Sequence, residues 1–263
     1  MFHFGRQYRA AAPNAVRVKK FWRAGVELAP TAFDVDADIA SRTSGEIVIP
    51  SSMDANNIHA CCVMAAQAKF LRRYHALETG QLLNVTDQQI VAAYLSQTGG
   101  SDDGLVPDES FNAWVNTGWA SGDGNVVRKI AAAARVDATD RADVQLAIWR
   151  LGGVLVGGLI PNQWMASFES GAMTPWDVPS NLNDTAGGHE MYAHAYTPTG
   201  IIVETWGRNQ LITWAAVATV FSEANQGEAF ALVRGTDADN PIDGLDTASL
   251  LAELAIIREE ASR

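Results

Sequence analysis

Cysteine is scarce in this sequence, with two residues in 263, the adjacent Cys61 and Cys62. Two adjacent cysteines cannot form a disulfide framework, and their scarcity fits a reducing compartment. A zinc site built from both thiols with His59 and His189 is not expected, because vicinal cysteines rarely bind one tetrahedral ion together. The sequence therefore predicts neither a metal nor a cofactor, and the thiol pair serves either packing or chemistry.

Long apolar runs are missing as well. No run reaches the ~18 residues that span a bilayer, and the first residues, Met-Phe-His-Phe-Gly-Arg, lack the apolar core of a secretory signal. Hydrophobic residues still make up 48% of the chain, enough for a full core. We expect a globular protein that has no membrane partner and is not exported by a signal peptide.

Positive charge is scarce outside the N-terminus. The chain has 19 Lys and Arg against 30 Asp and Glu, a net charge of −11. Residues 1–26 carry +6 and the remainder carries −17. An acidic body repels phosphates, which argues against specific nucleic-acid binding. The basic arm is expected to dock on an acidic neighbour or another copy, as in a virion or self-assembly, or to remain a solvated extension.

The pattern of the chain predicts an α+β fold with helices first and a mostly antiparallel sheet afterwards. Three parts are expected: a basic arm and lead-in segment at 1–45, a domain at 46–234, and a linker with an amphipathic helix at 235–263. The capping box at Thr86 and Gln89 marks one helix start, and Asp246 or Thr247 caps the last helix. Other expected helices are 62–77, 109–117 and 140–151; expected strands are 46–49, 152–161, one beginning at His189, 201–206 and 229–233, with a long loop at 162–186.

One stretch carries the strongest functional signal. In residues 187–192, Gly-Gly-His-Glu-Met-Tyr, a glycine pair precedes a predicted strand that begins at His189. The chain then turns at 197–200. The return strand ends in Glu204-Thr-Trp-Gly, fifteen residues after the histidine. Far upstream, Cys62 begins an alanine-rich helix. The order of thiol, histidine and polar residue before a tryptophan is typical of thiol peptidases.

The chemistry of these residues predicts their roles. A helix N-terminus and a neighbouring imidazolium both favour a thiolate at Cys62. His189 is then the ion-pair partner and the acid that protonates the leaving amine. Glu204 would accept from the other ring nitrogen, while the Cys62 N–H and Asn56 or Asn57 would bind the oxyanion. The two cysteines leave the nucleophile open, although Cys62 fits better than Cys61. Further alternatives are a buried, unreactive cysteine pair and a surface role for Glu204, with His194 structural.

The chain resembles the papain-like cysteine peptidase family. Residues 189–196 resemble that family's histidine strand, 204–207 its Asn-Ser-Trp-Gly element, and 85–91 its Leu-Ser-Glu-Gln-Gln-Leu-Val helix start. The stretch from about 56 to 233 is more closely similar to bacteriophage and actinobacterial proteins with that fold. Glu204 stands where the family has asparagine, Asn56 at the offset of its oxyanion glutamine, and Val63 where a tryptophan follows the cysteine.

This resemblance implies a papain-like fold, with a helical lobe carrying the cysteine helix against an antiparallel sheet lobe. It also implies a peptidase or amidase that acts on peptides through an acyl-enzyme on Cys62. The second hypothesis is an inactive papain-like scaffold in a phage virion, and a third is a transferase with the same thioester chemistry. The expected location is the host cytoplasm or the virion.

Overall fold

Antiparallel pairing organises the second half of the chain. The computed structural model describes residues 2–235, 242 and 244–261. Seven strands form one sheet, in which β1 pairs with β6 and the others follow the order β4-β9-β5-β6-β7-β8. Their bounds are β1 Phe33–Asp34, β4 Ala132–Arg135, β5 Val154–Pro161, β6 Thr185–Tyr196, β7 Gly200–Thr205, β8 Arg208–Thr213 and β9 Glu228–Val233, and a separate hairpin joins β2 Trp119–Ser121 to β3 Val126–Arg128.

Eight α-helices lie within the described residues and cover both faces of the sheet. They are α1 Val35–Arg42, α2 Cys62–Thr79, α3 Asp87–Thr98, α4 Pro107–Asn116, α5 Arg141–Leu151, α6 Asn162–Glu169, α7 Trp214–Val220 and α8 Thr247–Ala261. Alternate residues of β5 show the two-sided burial: Leu155 packs with α2–α4, whereas Val154 and Val156 face the core that includes α5–α7. The expected α+β class with an antiparallel sheet is confirmed.

Helix ends follow the capping signals closely. Helix α2 begins at Cys62 and ends at Gly80, whose φ of 64° is the left-handed conformation of a C-cap glycine. The capping box of α3 forms with both reciprocal bonds between Thr86 and Gln89. Asp140 caps α5, and Asp246 accepts from the backbone N–H of Ser249 in α8. The start of α2 at Cys62, the capping box and the cap at Asp246 are confirmed, and each depended on local chemistry. The cap at Asp140 was not predicted, because that residue was expected to be the first of the helix.

Three other predictions were wrong. Residues 46–50 form no strand; they run as a coil in which Ile47 and Ile49 are buried and Val48 is exposed. The expected loop at 162–186 contains α6, whose Trp164 and Phe168 are buried against the sheet core. Strand β6 begins at Thr185, so His189 is not its first residue. In each case packing against distant parts of the chain determines the local secondary structure, and the local sequence pattern contains no information about that packing.

The basic N-terminal region lies against the body of the protein. Val18 is fully buried and Phe21 nearly so, within the same core as α5. Its cations pair with acidic groups of this chain, as Arg17 does with Glu223 at 2.8 Å and Lys20 with Glu253 at 2.5 Å. The expectation of a solvated extension was therefore wrong. The boundaries at 45 and 235 stay predictions, and most of the expected linker falls outside the described residues. No described helix is long and apolar enough to cross a membrane.

We predict that Thr86→Ala lowers the free energy of unfolding by about 1 kcal/mol, because it removes the hydroxyl that caps the Gln89 N–H. Urea denaturation measures the change. Ser96→Ala, at an exposed position in the same helix, is the matched control. Equal effects of the two substitutions would contradict a role for the cap.

Candidate active site

Cys62 occupies the first residue of α2, where the helix meets the sheet. Its side chain is fully buried. Burial raises the pKa of the Cys62 thiol to about 12, although the backbone N–H groups of Glu190 and Gly5 act to lower it. Cys61 points elsewhere, since its sulfur donates to the carbonyl oxygen of Asp54 at 3.5 Å. Of the two thiols, Cys62 is therefore the one beside the histidine strand.

His189 is held from two sides. Its Nε2 is 2.8 Å from the hydroxyl of Thr205, and its ring stacks on Trp206 with centroids 3.8 Å apart and planes 9° apart. Trp206 and Gly207 form the two-residue turn between β7 and β8, with φ of 42° and 76°. Positive φ at both positions is the pattern of a type I′ hairpin, and it is strained for a tryptophan. The turn therefore places the indole against the imidazole.

The predicted role of Glu204 was wrong. The register places Glu204 opposite Tyr192, so it lies on the sheet face opposite to that of His189, while Thr205 shares the histidine's face. The Glu204 carboxylate accepts from Arg73 Nη1 at 2.7 Å and from the backbone N–H of Ser52 at 3.0 Å. Burial acts to raise the pKa of Glu204, but Lys69 and Arg73 outweigh it and hold that pKa below its usual value. Thr205 takes the orienting position instead.

A buried charge cluster joins α2 to the sheet, and the sequence analysis missed it. It consists of Lys69, Arg72 and Arg73 of α2 with the carboxylates of Asp36, Asp54 and Glu204. The three cations follow the i, i+3, i+4 spacing of one helix face, which was the available signal. Their carboxylate partners are far apart in sequence and could not be assigned to them.

The groove between helix and sheet is filled by the chain's own N-terminus. The N–H groups of Gly5 and Arg6 donate to the carbonyl of Gly188 at 3.1 and 3.0 Å, and Gly5 accepts from Leu105 at 2.7 Å. Phe4 packs edge-on against Trp206, with centroids 5.4 Å apart. Residues 3–7, hereafter the groove segment, thus bind to both sides of the groove as an extended peptide.

Close approach of the groove segment depends on glycine at two places. A Cβ on Gly5 would lie 1.7 Å from the carbonyl oxygen of Ala60, and one on Gly188 would lie 2.3 Å from that of Arg6. Beyond them, the Arg6 guanidinium is buried, with Nε 2.6 Å from Glu228 and 3.7 Å from Glu190. Close main-chain packing at Gly5 and Gly188, together with the buried ion pairs of Arg6, therefore holds the groove segment in place.

Asn56 lies at the edge of this groove. Its Nδ2 donates to the carbonyl of His3 at 3.3 Å and to that of His59 at 3.1 Å. A side-chain amide directed at a main-chain carbonyl of the bound segment is compatible with the expected oxyanion role. That role stays a prediction, as do those of Cys62 and His189.

In this closed arrangement burial favours the neutral forms of both the thiol and the imidazole. Burial lowers the pKa of His189 well below its usual value, and Lys69 adds to the effect. The Nδ1 atom has no hydrogen-bond partner among the described residues, so no hydrogen bond joins it to the Cys62 sulfur. The site contains the residue types of a thiol acyl-transfer centre without the ion pair that activates one.

Comparison with solved structures identifies the architecture. A cysteine protease from Xylella fastidiosa, xylellain, superposes with a TM-score of 0.62 at 12% identity, over 89% of this chain and 96% of that one. The fold is papain-like. The ragweed pollen allergen Amb a 11, a cysteine protease solved in its proform, gives 0.59 at 14% identity, over 86% and 72%.

A third papain-like structure, the Carica candamarcensis protease CMS1MS2 in complex with E-64, gives a TM-score of 0.53 at 15% identity, over 78% of this chain and 99% of that one. No family model and no curated protein sequence matches the chain. The predicted papain-like fold is confirmed, whereas the closer similarity to phage and actinobacterial proteins stays a prediction.

We predict that Arg73→Ala destabilises the protein by roughly 3–5 kcal/mol, because it removes the cation nearest to the buried Glu204 and leaves only Lys69, at 3.9 Å. Chemical denaturation at neutral pH measures the loss. Arg42→Ala, which breaks an exposed i,i+4 pair with Asp38, should cost no more than about 0.5 kcal/mol. Similar losses in both variants would show that the charge cluster has no special role.

Proposed function

We propose that this protein is a cysteine peptidase or amidase whose groove is closed by its own residues 3–7. The observation that carries the proposal is the groove segment itself. The groove beside Cys62 and His189 binds an extended peptide through main-chain hydrogen bonds on both sides. Main-chain recognition of an extended peptide is what hydrolysis of a peptide substrate requires.

The chemistry in the open groove follows from the residues present. With Nε2–H donated to Thr205, Nδ1 is the ring nitrogen that takes the proton of the Cys62 thiol. The sulfur then attacks the substrate carbonyl, and the oxyanion accepts from the Cys62 N–H and the Asn56 amide. His189 returns the proton to the leaving amine as the C–N bond breaks. Water, deprotonated by His189, hydrolyses the thioester and regenerates the thiol.

A second candidate function is an inactive papain-like scaffold, such as a structural or accessory protein of a phage virion. Two observations favour it: the raised pKa of Cys62 keeps the thiol neutral, and the groove is filled. The basic N-terminal region would then make assembly contacts. Under either proposal the protein acts in the host cytoplasm or in the virion.

We predict that Gly5→Ala opens the groove, because its Cβ cannot fit beside the Ala60 carbonyl. Iodoacetamide labelling of Cys62, followed by mass spectrometry across pH, should accelerate by at least ~100-fold at pH 7.5 as the thiol regains water and its imidazole partner. Hydrolysis of an unstructured protein should appear in the same variant. Both gains should vanish when Cys62→Ser is added, and hydrolysis should vanish with His189→Ala.

Arg9→Ala is the matched control, since Arg9 follows the groove segment and pairs with Glu109 at the surface. It should label as slowly as the wild type. If Gly5→Ala labels Cys62 only above the ordinary thiol pKa of ~8.5 and hydrolyses nothing, the peptidase proposal is wrong and the scaffold is supported.

A further inference from the structure

Away from the groove, His194 occupies an irregular position on β6. Ala195 pairs with Ile202 and Ala193 pairs with Val203, so His194 is the extra residue of a β-bulge. Bulges re-aim side chains and are common next to functional sites. His194 lies five residues beyond His189, about 16 Å along the strand, and does not belong to the site described above.

The two nitrogens of His194 have different surroundings. Nε2 lies 3.2 Å from Oδ1 of Asn209, to which it donates. In the neutral imidazole with this proton on Nε2, Nδ1 carries the lone pair. This atom is 3.5 Å from both Asp34 Oδ1 and Asp36 Oδ2, and it makes no hydrogen bond within the described part of the chain. The residue is 1% exposed, so a buried lone pair faces two carboxylate oxygens.

Three acceptors facing one another repel unless a metal ion or a proton lies between them. We propose that Asp34, Asp36 and His194 bind one divalent transition-metal ion of the Zn²⁺ class. Ligand atoms about 2.0–2.1 Å from a tetrahedral ion lie about 3.3–3.4 Å apart. The imidazole nitrogen is 3.5 Å from each carboxylate oxygen, and all three atoms lie within 4.8 Å of one another. An imidazole with two carboxylates is a ligand set that suits such ions.

Charge and access are compatible with this site. Arg73 already binds both oxygens of Asp36, at 2.7 and 2.8 Å, but its charge is shared with Glu204. Asp34 adds a second carboxylate with a side chain 44% exposed. Water can therefore reach the ion as a fourth ligand, and Asn209 orients the imidazole from behind.

The proposed ion would be structural. Asp34 belongs to β1 and also caps α1, accepting from the N–H of Asp36 at 2.8 Å. His194 belongs to the central strand β6. One ion would therefore fix the start of α1 to the central strand β6.

Titration of the full, untagged chain with Co²⁺, and competition by Zn²⁺, tests this proposal. We expect one ion per chain, with the visible d–d absorption of tetrahedral Co²⁺. Zn²⁺ at a hundredfold excess over its Kd should raise Tm by roughly 5–10 °C. His194→Gln and Asp34→Asn, of which the latter keeps an N-cap side chain, should each weaken binding by at least ~10-fold.

His59→Gln is the matched control, because His59 faces a single carboxylate, Asp102, at 3.3 Å. It should leave Co²⁺ binding unchanged. Absence of saturable binding, or binding unaffected by His194→Gln, would overturn the proposal. Metal-free circular dichroism and Tm of each variant separate loss of ligand from loss of fold. A wild-type Tm that changes with pH but not with Zn²⁺ would show that a proton occupies the position instead.

Discussion

Residues 3–7 lie as an extended main chain between helix α2 and the sheet, and they close the groove beside Cys62 and His189. Gly5 and Arg6 bind Gly188 on one side, and Gly5 binds Leu105 on the other. Because these bonds use backbone atoms and a glycine that no larger residue could replace, the segment lies close enough to exclude solvent from Cys62 and His189. Gly5 lies against Cys62 and Phe4 lies edge-on to His189, and both functional side chains are almost completely buried.

The magnitudes show why the helix N-terminus does not activate the thiol here. A helix terminus favours an adjacent anion by typically 0.3–1 kcal/mol. Burial raises the pKa of Cys62 to about 12, well above the ordinary thiol value of ~8.5, so the cost of desolvating the thiolate is on the order of several kcal/mol. The cost of desolvating the thiolate therefore exceeds its stabilisation by the helix dipole. Burial also keeps His189 neutral, so neither partner supplies the charge that would stabilise the other. Hydration of the groove is the change that reverses both effects.

Local chemistry in the sequence predicted the helix ends and the thiol-before-histidine order, and the family resemblance predicted the architecture. The prediction that Glu204 orients the His189 imidazole failed because strand β6 contains one extra residue, His194. Near the turn, Ala195 pairs with Ile202; continued without a bulge, that register would put Glu204 opposite Ala193, on the face of His189. The bulge at His194 shifts the register by one and brings Thr205 to that face instead. A bulge depends on tertiary packing, so no spacing rule could have predicted the exchange.

Two sets of contacts join helix α2 to the sheet: the charge cluster around Arg73 and the groove segment. They differ in how much their loss would cost. The cluster around Arg73 contains three cations and three carboxylates, so it is neutral as a whole although each member is largely buried. Breaking it leaves a buried charge, which is costly. None of the ion pairs of this cluster involves the groove segment, so displacement of the segment leaves the cluster complete. The cluster therefore holds helix α2 against the sheet independently of the segment, and under the proposed function the segment would decide whether water and a peptide reach Cys62 and His189.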